Sequence, residues 1–138
     1  MSNKISNKTH AINLLTGKGS NLKVPAMILD PSEMWENSYQ IIMSEENISH
    51  IAINFLTFTD GRGYSLAARI KEKKLIKYVH AIGEINEELS YFLKRSGFDI
   101  AHFPIKGQLN RVEGMTKRLK KILNPFSDHY QVGNDVGI

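Results

Sequence analysis

Residues 50–69 read His-Ile-Ala-Ile-Asn-Phe-Leu-Thr-Phe-Thr-Asp-Gly-Arg-Gly-Tyr-Ser-Leu-Ala-Ala-Arg, and this stretch decides the fold. An apolar, β-branched and aromatic run (Ile51, Ile53, Phe55, Phe58) meets the turn Asp60-Gly61-Arg62-Gly63. A helical pattern follows, with Leu66, Ala67 and Ile70 on its inner side. Strand, glycine turn and helix in that order set backbone N–H groups and a helix N-terminus over the carboxyl edge of a parallel sheet. The run 51–58 is apolar on both faces apart from Asn54, as an inner strand of such a sheet requires.

Working outward, Val24–Leu29 predicts a first strand. Asp30-Pro31-Ser32-Glu33 then carries the signals of a helix start: a capping aspartate, a proline at the first helical position and a glutamate to close a capping box. Trp35, Tyr39 and Ile42 form the stripe of that helix, with Met34, Ile41 and Met43 beside it. Ser65 is a candidate cap for the second helix. Tyr78–Ile82 predicts a third strand ending at Gly83, and Asn86 caps a third helix with Leu89, Phe92 and Leu93 facing inward. Gly97 suits the left-handed residue after that helix, with Phe98 folding back. The fourth strand, Ile100–Ile105, is expected at an edge because Pro104 donates no hydrogen bond. A last helix, Gln108–Leu123, has Val112, Met115, Leu119 and Ile122 on one side. Its other side holds Arg111, Lys117, Arg118, Lys120 and Lys121, read as a solvated face rather than a surface for nucleic acid or lipid.

Alternating strands and helices predict an α/β fold: an open, mostly parallel sheet of four to five strands built from βα units with flanking helices. A half-barrel-like arrangement is the alternative. The expected organisation is a mobile segment 1–22 containing a short strand or hook near Ile12, Leu14 and Leu15, one α/β domain over 23–124, and a flexible tail over 125–138.

At 138 residues the chain suits a single domain. It has no cysteine, which excludes disulfides, thiolate chemistry and cysteine-held zinc or iron–sulfur clusters. Net charge is +4, mildly basic and compatible with a solvated surface. No apolar run approaches the roughly 18 residues of a membrane helix, so the expectation is a cytoplasmic protein with no membrane partner. A homo-oligomer is compatible with the sequence.

The candidate site is the turn 60–65. Gly61 and Gly63 allow positive φ, which would let successive amides converge into a nest for an anion. Arg62 adds a planar fork of donors for carboxylate, phosphate or sulfur oxyanions. In a parallel sheet Glu84, after the third strand, shares the same edge and can pair with Arg62 or Arg69. The ligand-binding set is therefore Asp60, Gly61, Arg62, Gly63, Tyr64, Ser65, Arg69 and Glu84. The competing reading is a tight turn whose glycines only satisfy geometry and whose arginine pairs with an acid. His80, in mid-strand, reads as a hydrogen-bonded core histidine. The five histidines lack metal-ligand spacing, and neither GxGxxG nor GxSxG nor the phosphate-loop spacing is met, so no metal is assigned and the cofactor is left open.

With these residues in view, the chain resembles a bacterial family of unknown function described as a probable oxidoreductase involved in sulfite reduction. The resemblance rests on Phe58-Thr59-Asp60-Gly61-Arg62-Gly63-Tyr64-Ser65, Ala67, Arg69, Ala81-Ile82-Gly83 and Arg95-Ser96-Gly97-Phe98-Asp99. It implies a role in assimilatory sulfite reduction: an accessory protein that binds a small anion, a phosphorylated ligand or the sulfite reductase hemoprotein through 60–65. The alternative it implies is an oxidoreductase with a loosely bound nicotinamide or flavin. Set against the family's usual pattern, His80 and Glu87 stand where arginines are common, Glu84 where aspartate is, and Ser96 where cysteine is. The last of these argues against thiol redox chemistry.

Overall fold

The computed structural model describes residues 8–105 and 115–123. Their elements run β1 (Thr9–Asn13), β2 (Ile28–Leu29), α1 (Trp35–Met43), β3 (His50–Phe55), α2 (Gly61–Glu72) and β4 (Tyr78–Gly83). A 3-10 turn at Glu87–Leu89 leads into α3 (Ser90–Ser96), followed by β5 (Ile100–Pro104) and α4 (Met115–Leu123). The five strands form one sheet in the order β1-β5-β4-β3-β2. Neighbours from β2 to β5 are parallel, and β1 is antiparallel to β5.

From β2 to β5 each strand is laid down on the same side of its predecessor. Right-handed crossovers then put every connecting helix on one face of the sheet. The core confirms this layering. It takes Ile51, Ile53 and Phe55 from β3, Val79 and Ala81 from β4, and Ala101 and Phe103 from β5, packed against Ile42, Leu66, Ala67, Ile70, Leu93 and Leu119 of the helices. The intervening strand residues, among them His50, Ala52, Tyr78, His80, Ile100 and His102, point to the other face. The sheet is therefore open and mostly parallel, as the sequence predicts, with the one-sided layering of the half-barrel-like alternative.

Several local expectations change. β5 is an inner strand, not an edge. Ile105 N donates to Lys8 O, which makes Thr9–Pro104 a pair that exchanges no hydrogen bond with β1. The missing N–H of Pro104 thus falls on the side of β4, whose pairing with β5 stops at Ala81–Ala101. Within the segment 1–22 the expected short strand near Ile12 is β1, while residues 1–7 and the tail 125–138 lie outside the described residues. Only Ile28–Leu29 of the predicted first strand pair. Asp30 does not cap α1, because its Oδ1 accepts from the Ser32 N–H and hydroxyl and closes a separate turn first. Phe92, expected inside, is 59% exposed. Gly97 does adopt left-handed backbone after α3, and Phe98 N returns to Leu93 O. Arg118 is not on a purely solvated face, since its Nε and Nη2 hold Glu87 at 2.6 and 2.9 Å.

Among the described residues no helix covers the second face of the sheet, yet His80 and His102 are 0% and 2% exposed there. β1 and β2 lie at opposite edges, and Gly19 bridges to Ile12 outside β1. Residues 20–27 must therefore cross the sheet, about 24 Å at the usual strand spacing, in nearly extended form. Ser20 and Leu22 line a hollow together with His50, Tyr78 and Ile100, so this strap runs over the helix-free face. The same face carries a ladder of histidines: His50 Nδ1 to His80 Nε2 at 2.9 Å, and His80 Nδ1 to His102 Nε2 at 2.8 Å.

A neutral imidazole offers one donor and one acceptor, so His80 is fully satisfied only when uncharged or at the cost of fixing both neighbours. Burial first, then the adjacent His102 and His50, push His80 down to about 4 from its ordinary 6.5. Burial also lowers His102. The folded state thus binds fewer protons than the unfolded chain, and the associated stability is present above pH 6.5 and drains away as pH falls toward 4. A shift of this size corresponds to about 3 kcal/mol. In urea titrations at neutral pH and at pH 4, His80→Leu is expected to be less stable than wild type at neutral pH, with an acid-induced loss smaller by about 3 kcal/mol. Equal acid losses in the two proteins would show that His80 titrates normally in the fold.

Candidate functional site

The turn after β3 is built around Asp60. Its backbone is extended at the N-cap of α2, and Oδ1 accepts from Arg62 N at 3.1 Å. The same carboxylate grips the Arg62 side chain, Nε to Oδ1 at 2.9 Å and Nη2 to Oδ2 at 3.1 Å. Gly63 N donates to Asp60 O, and Asp60 N to Thr57 O. These bonds from Arg62 hold the Asp60 carboxyl below the usual carboxylate range. Asp60 therefore supplies, from within the chain, the negative charge that a helix N-terminus attracts.

This alters the expected anion nest. The glycines with positive φ are Gly17, Gly83 and Gly97 among the described residues; Gly61 and Gly63 are ordinary first-turn helical residues. Gly63 is needed for space instead. A Cβ there would lie 2.3 Å from the Phe55 ring, so glycine lets α2 settle onto β3. Around Gly61 nothing lies within 4 Å of such a Cβ. Ser65 is exposed within α2 and caps nothing, because the helix starts four residues earlier at Gly61.

The other members of the set separate. Arg69 sits over the Trp35 ring, 4.5 Å from its centre, and so braces α2 against α1 rather than joining the turn. Glu84 is at the carboxyl edge as expected, its N–H bonded to Phe55 O at 2.8 Å. Gly83 before it has φ +96°, and a Cβ would come within 2.3 Å of Phe55 O, so the ends of β3 and β4 close up only with glycine there. Tyr64 is half-buried, its ring tilted on Phe55 at 5.2 Å, and burial raises its phenol above the ordinary value.

Tyr64 leads to a second arrangement. A hollow of about 580 Å3 opens between the β3–α2 turn and α3, lined by Phe58, Thr59, Tyr64, Tyr91, Phe92, Arg95 and Ser96. Phe58 and Phe92 are more than half exposed. Arg95 Nη1 donates to the Tyr91 hydroxyl at 3.1 Å, with its guanidinium 5.7 Å from that ring's centre. Residues 58–64 and 95–96, far apart in the chain, meet here. The rest of the second segment is structural: Phe98 packs on Phe55, and Asp99 accepts from Val79 N and pairs with Lys71.

Aromatic rings and an arginine, here on an open concave surface, are the residue types enriched where proteins bind one another. The sequence reading missed Tyr91 and Phe92 as site residues because helical spacing assigned Phe92 inward. It placed Phe58 in the apolar strand run and quoted Thr59, Arg95 and Ser96 in the resemblance, with no signal that they share a surface. Among the described residues no group of three or more histidine, aspartate or glutamate side chains is placed to hold a metal ion.

The two turn glycines separate the structural roles cleanly. Gly63→Ala is expected to cost about 1–3 kcal/mol, as overpacking against a buried ring does. Gly61→Ala is expected to be neutral or to stabilise by up to about 1 kcal/mol, its conformation being open to alanine. Urea denaturation of the two variants checks this, and equal effects would contradict the packing.

Neither a curated protein nor a solved structure matches the chain. One family model does, over residues 26–136, and it therefore spans both turn segments and the hollow they line. The chain belongs to the family described as "Bacterial protein of unknown function (DUF934)".

Proposed function

We propose that this chain is an accessory protein of assimilatory sulfite reduction in the cytoplasm, and that it docks on the sulfite reductase hemoprotein through the aromatic hollow and the adjoining turn 60–65. The observation that carries the reading is the convergence of 58–64 with 95–96 on one exposed, ring-lined concavity. These are the segments on which the resemblance to a sulfite-reduction family rests, so a shared partner would meet both at once. Phe58 and Phe92 serve as the apolar anchors, with more than half their surface available to a partner. Arg95 is steadied by Tyr91 and Arg62 by Asp60, and each keeps guanidinium edges for carboxylates on the facing protein. Asp60 also fills the amide site that a free oxyanion would need, which favours a protein partner over a small anion at this turn.

The second reading, an oxidoreductase, draws on the same concavity, since Tyr64, Tyr91 and Phe58 could stack a nicotinamide or flavin ring. Ser96 offers no thiol for redox chemistry.

Immobilised chain and purified reductase hemoprotein distinguish these. Direct binding is expected, weakened about tenfold or more by Phe92→Asp and by Phe58→Asp, both exposed positions at which circular dichroism should stay unchanged. Arg62→Ala is expected to weaken it only a few-fold, in the manner of a rim charge. Binding indifferent to both phenylalanine changes would overturn the docking surface. A visible flavin spectrum in purified protein, or saturable NADPH binding lost on Tyr64→Ala, would favour the oxidoreductase.

A further inference from the structure

A second hollow, sharing no residue with the aromatic one, lies at the amino edge of the sheet. Its volume is about 770 Å3, and its walls include His50, Tyr78, Lys71, Lys94 and Asp99 along with apolar Leu15, Leu22, Phe98 and Ile100. Of its charged groups, Lys71 is committed: Nζ lies 2.7 Å from Asp99 and 2.6 Å from Lys77 O. Lys94 has no ion pair among the described residues and lines the hollow uncompensated. His50 stacks on Tyr78 at 4.7 Å, and Lys77 Nζ lies over the Tyr78 ring, 5.2 Å from its centre.

His50 is also the half-buried end of the histidine ladder, whose other two rings are buried. Its Nδ1 is occupied by His80, so Nε2 is the nitrogen left for a ligand. A charged His50 donates Nδ1–H to His80 Nε2; neutral His80 then donates Nδ1–H to His102 Nε2, and no buried ring carries charge. A single negative charge in the hollow is balanced by Lys94. Among the described residues that line the hollow, no further unpaired cation meets a second until His50 takes a proton.

We infer that this hollow binds an organic molecule with an apolar body and a dianionic head, such as a phosphate ester, and that one proton enters at His50 with it. The head lies between Lys94 and His50, and the body against Leu15, Leu22, Phe98 and Ile100. Of the titratable and charged groups near His50, Tyr78 and His80 come from β4, Lys71 from α2, Lys94 from α3 and Asp99 from just before β5, and Lys77 contacts the Tyr78 ring. The site does not depend on the docking surface proposed above, and its ligand is distinct from the partner there.

Phenyl phosphate is the probe, titrated calorimetrically at neutral pH in buffers of different ionisation heat. Expected is saturable binding with uptake approaching one proton per ligand, weakened about tenfold or more by Lys94→Ala. His50→Gln should abolish the uptake. Imidazole 15N shifts of wild type should move to the Nδ1–H form of His80 as the ligand binds, a signature that a merely structural ladder would not give. Inorganic phosphate, lacking the body, should bind about tenfold more weakly or worse. No saturable binding up to about 10 mM, binding indifferent to Lys94→Ala, or uptake retained in His50→Gln would each overturn the inference. Equal affinity for inorganic phosphate would overturn the role given to the apolar walls.

Discussion

Right-handed connection is the constraint on which the rest of this structure depends. Because β2, β3, β4 and β5 are added in one direction, each crossover returns over the same face, and α1 to α4 share a single apolar layer. That layer needs only alternate residues of each strand. The remaining residues are released from packing against helices, and three of them are histidines joined edge to edge. A doubly covered sheet would have required apolar side chains in those positions.

Close approach between helix and sheet follows from two glycines with different tasks. Gly63 removes a side chain from the path of Phe55, and Phe55 then holds Tyr64 on one flank and Phe98 on the other. Gly83 lets the backbone of β4 turn against Phe55 O. Phe55 thus joins three segments, the turn after β3 and the approach to β5 through its ring and the end of β4 through its carbonyl. Of the rings lining the aromatic hollow, Tyr64 rests directly on Phe55, while Tyr91 and Phe92 are carried by α3.

How much of this is legible in the sequence depends on the range of the interaction. The βα order, the inner position of the strand ending at Phe55, the Asn86 cap and the left-handed Gly97 rest on local signals, and the structure has them. The role of Gly63 was not legible, since permission for positive φ and permission for close contact look alike in one letter. Pro104 misled because the consequence of a missing N–H depends on which neighbour it faces, a property of register. The ladder was hidden for the same reason. His50, His80 and His102 have no common spacing along the chain and become neighbours only through the offsets between parallel strands. Phe92 fits an inward helical stripe by position, but the helix rotates it outward beside Phe58.

The antiparallel strand at the edge bears on how the chain is assembled during synthesis. β1 leaves the ribosome first, yet its sole partner within the sheet is β5, about ninety residues later. The βα units from Ile28 onward can pair successively as they emerge, each with the one before it. Thr9–Asn13 must wait, and closing so long a loop is the slow, non-local step. The strap formed by residues 20–27 starts beside β1, where Gly19 bridges to Ile12, so it is drawn across the sheet only when that strand docks, at the end of folding rather than its beginning.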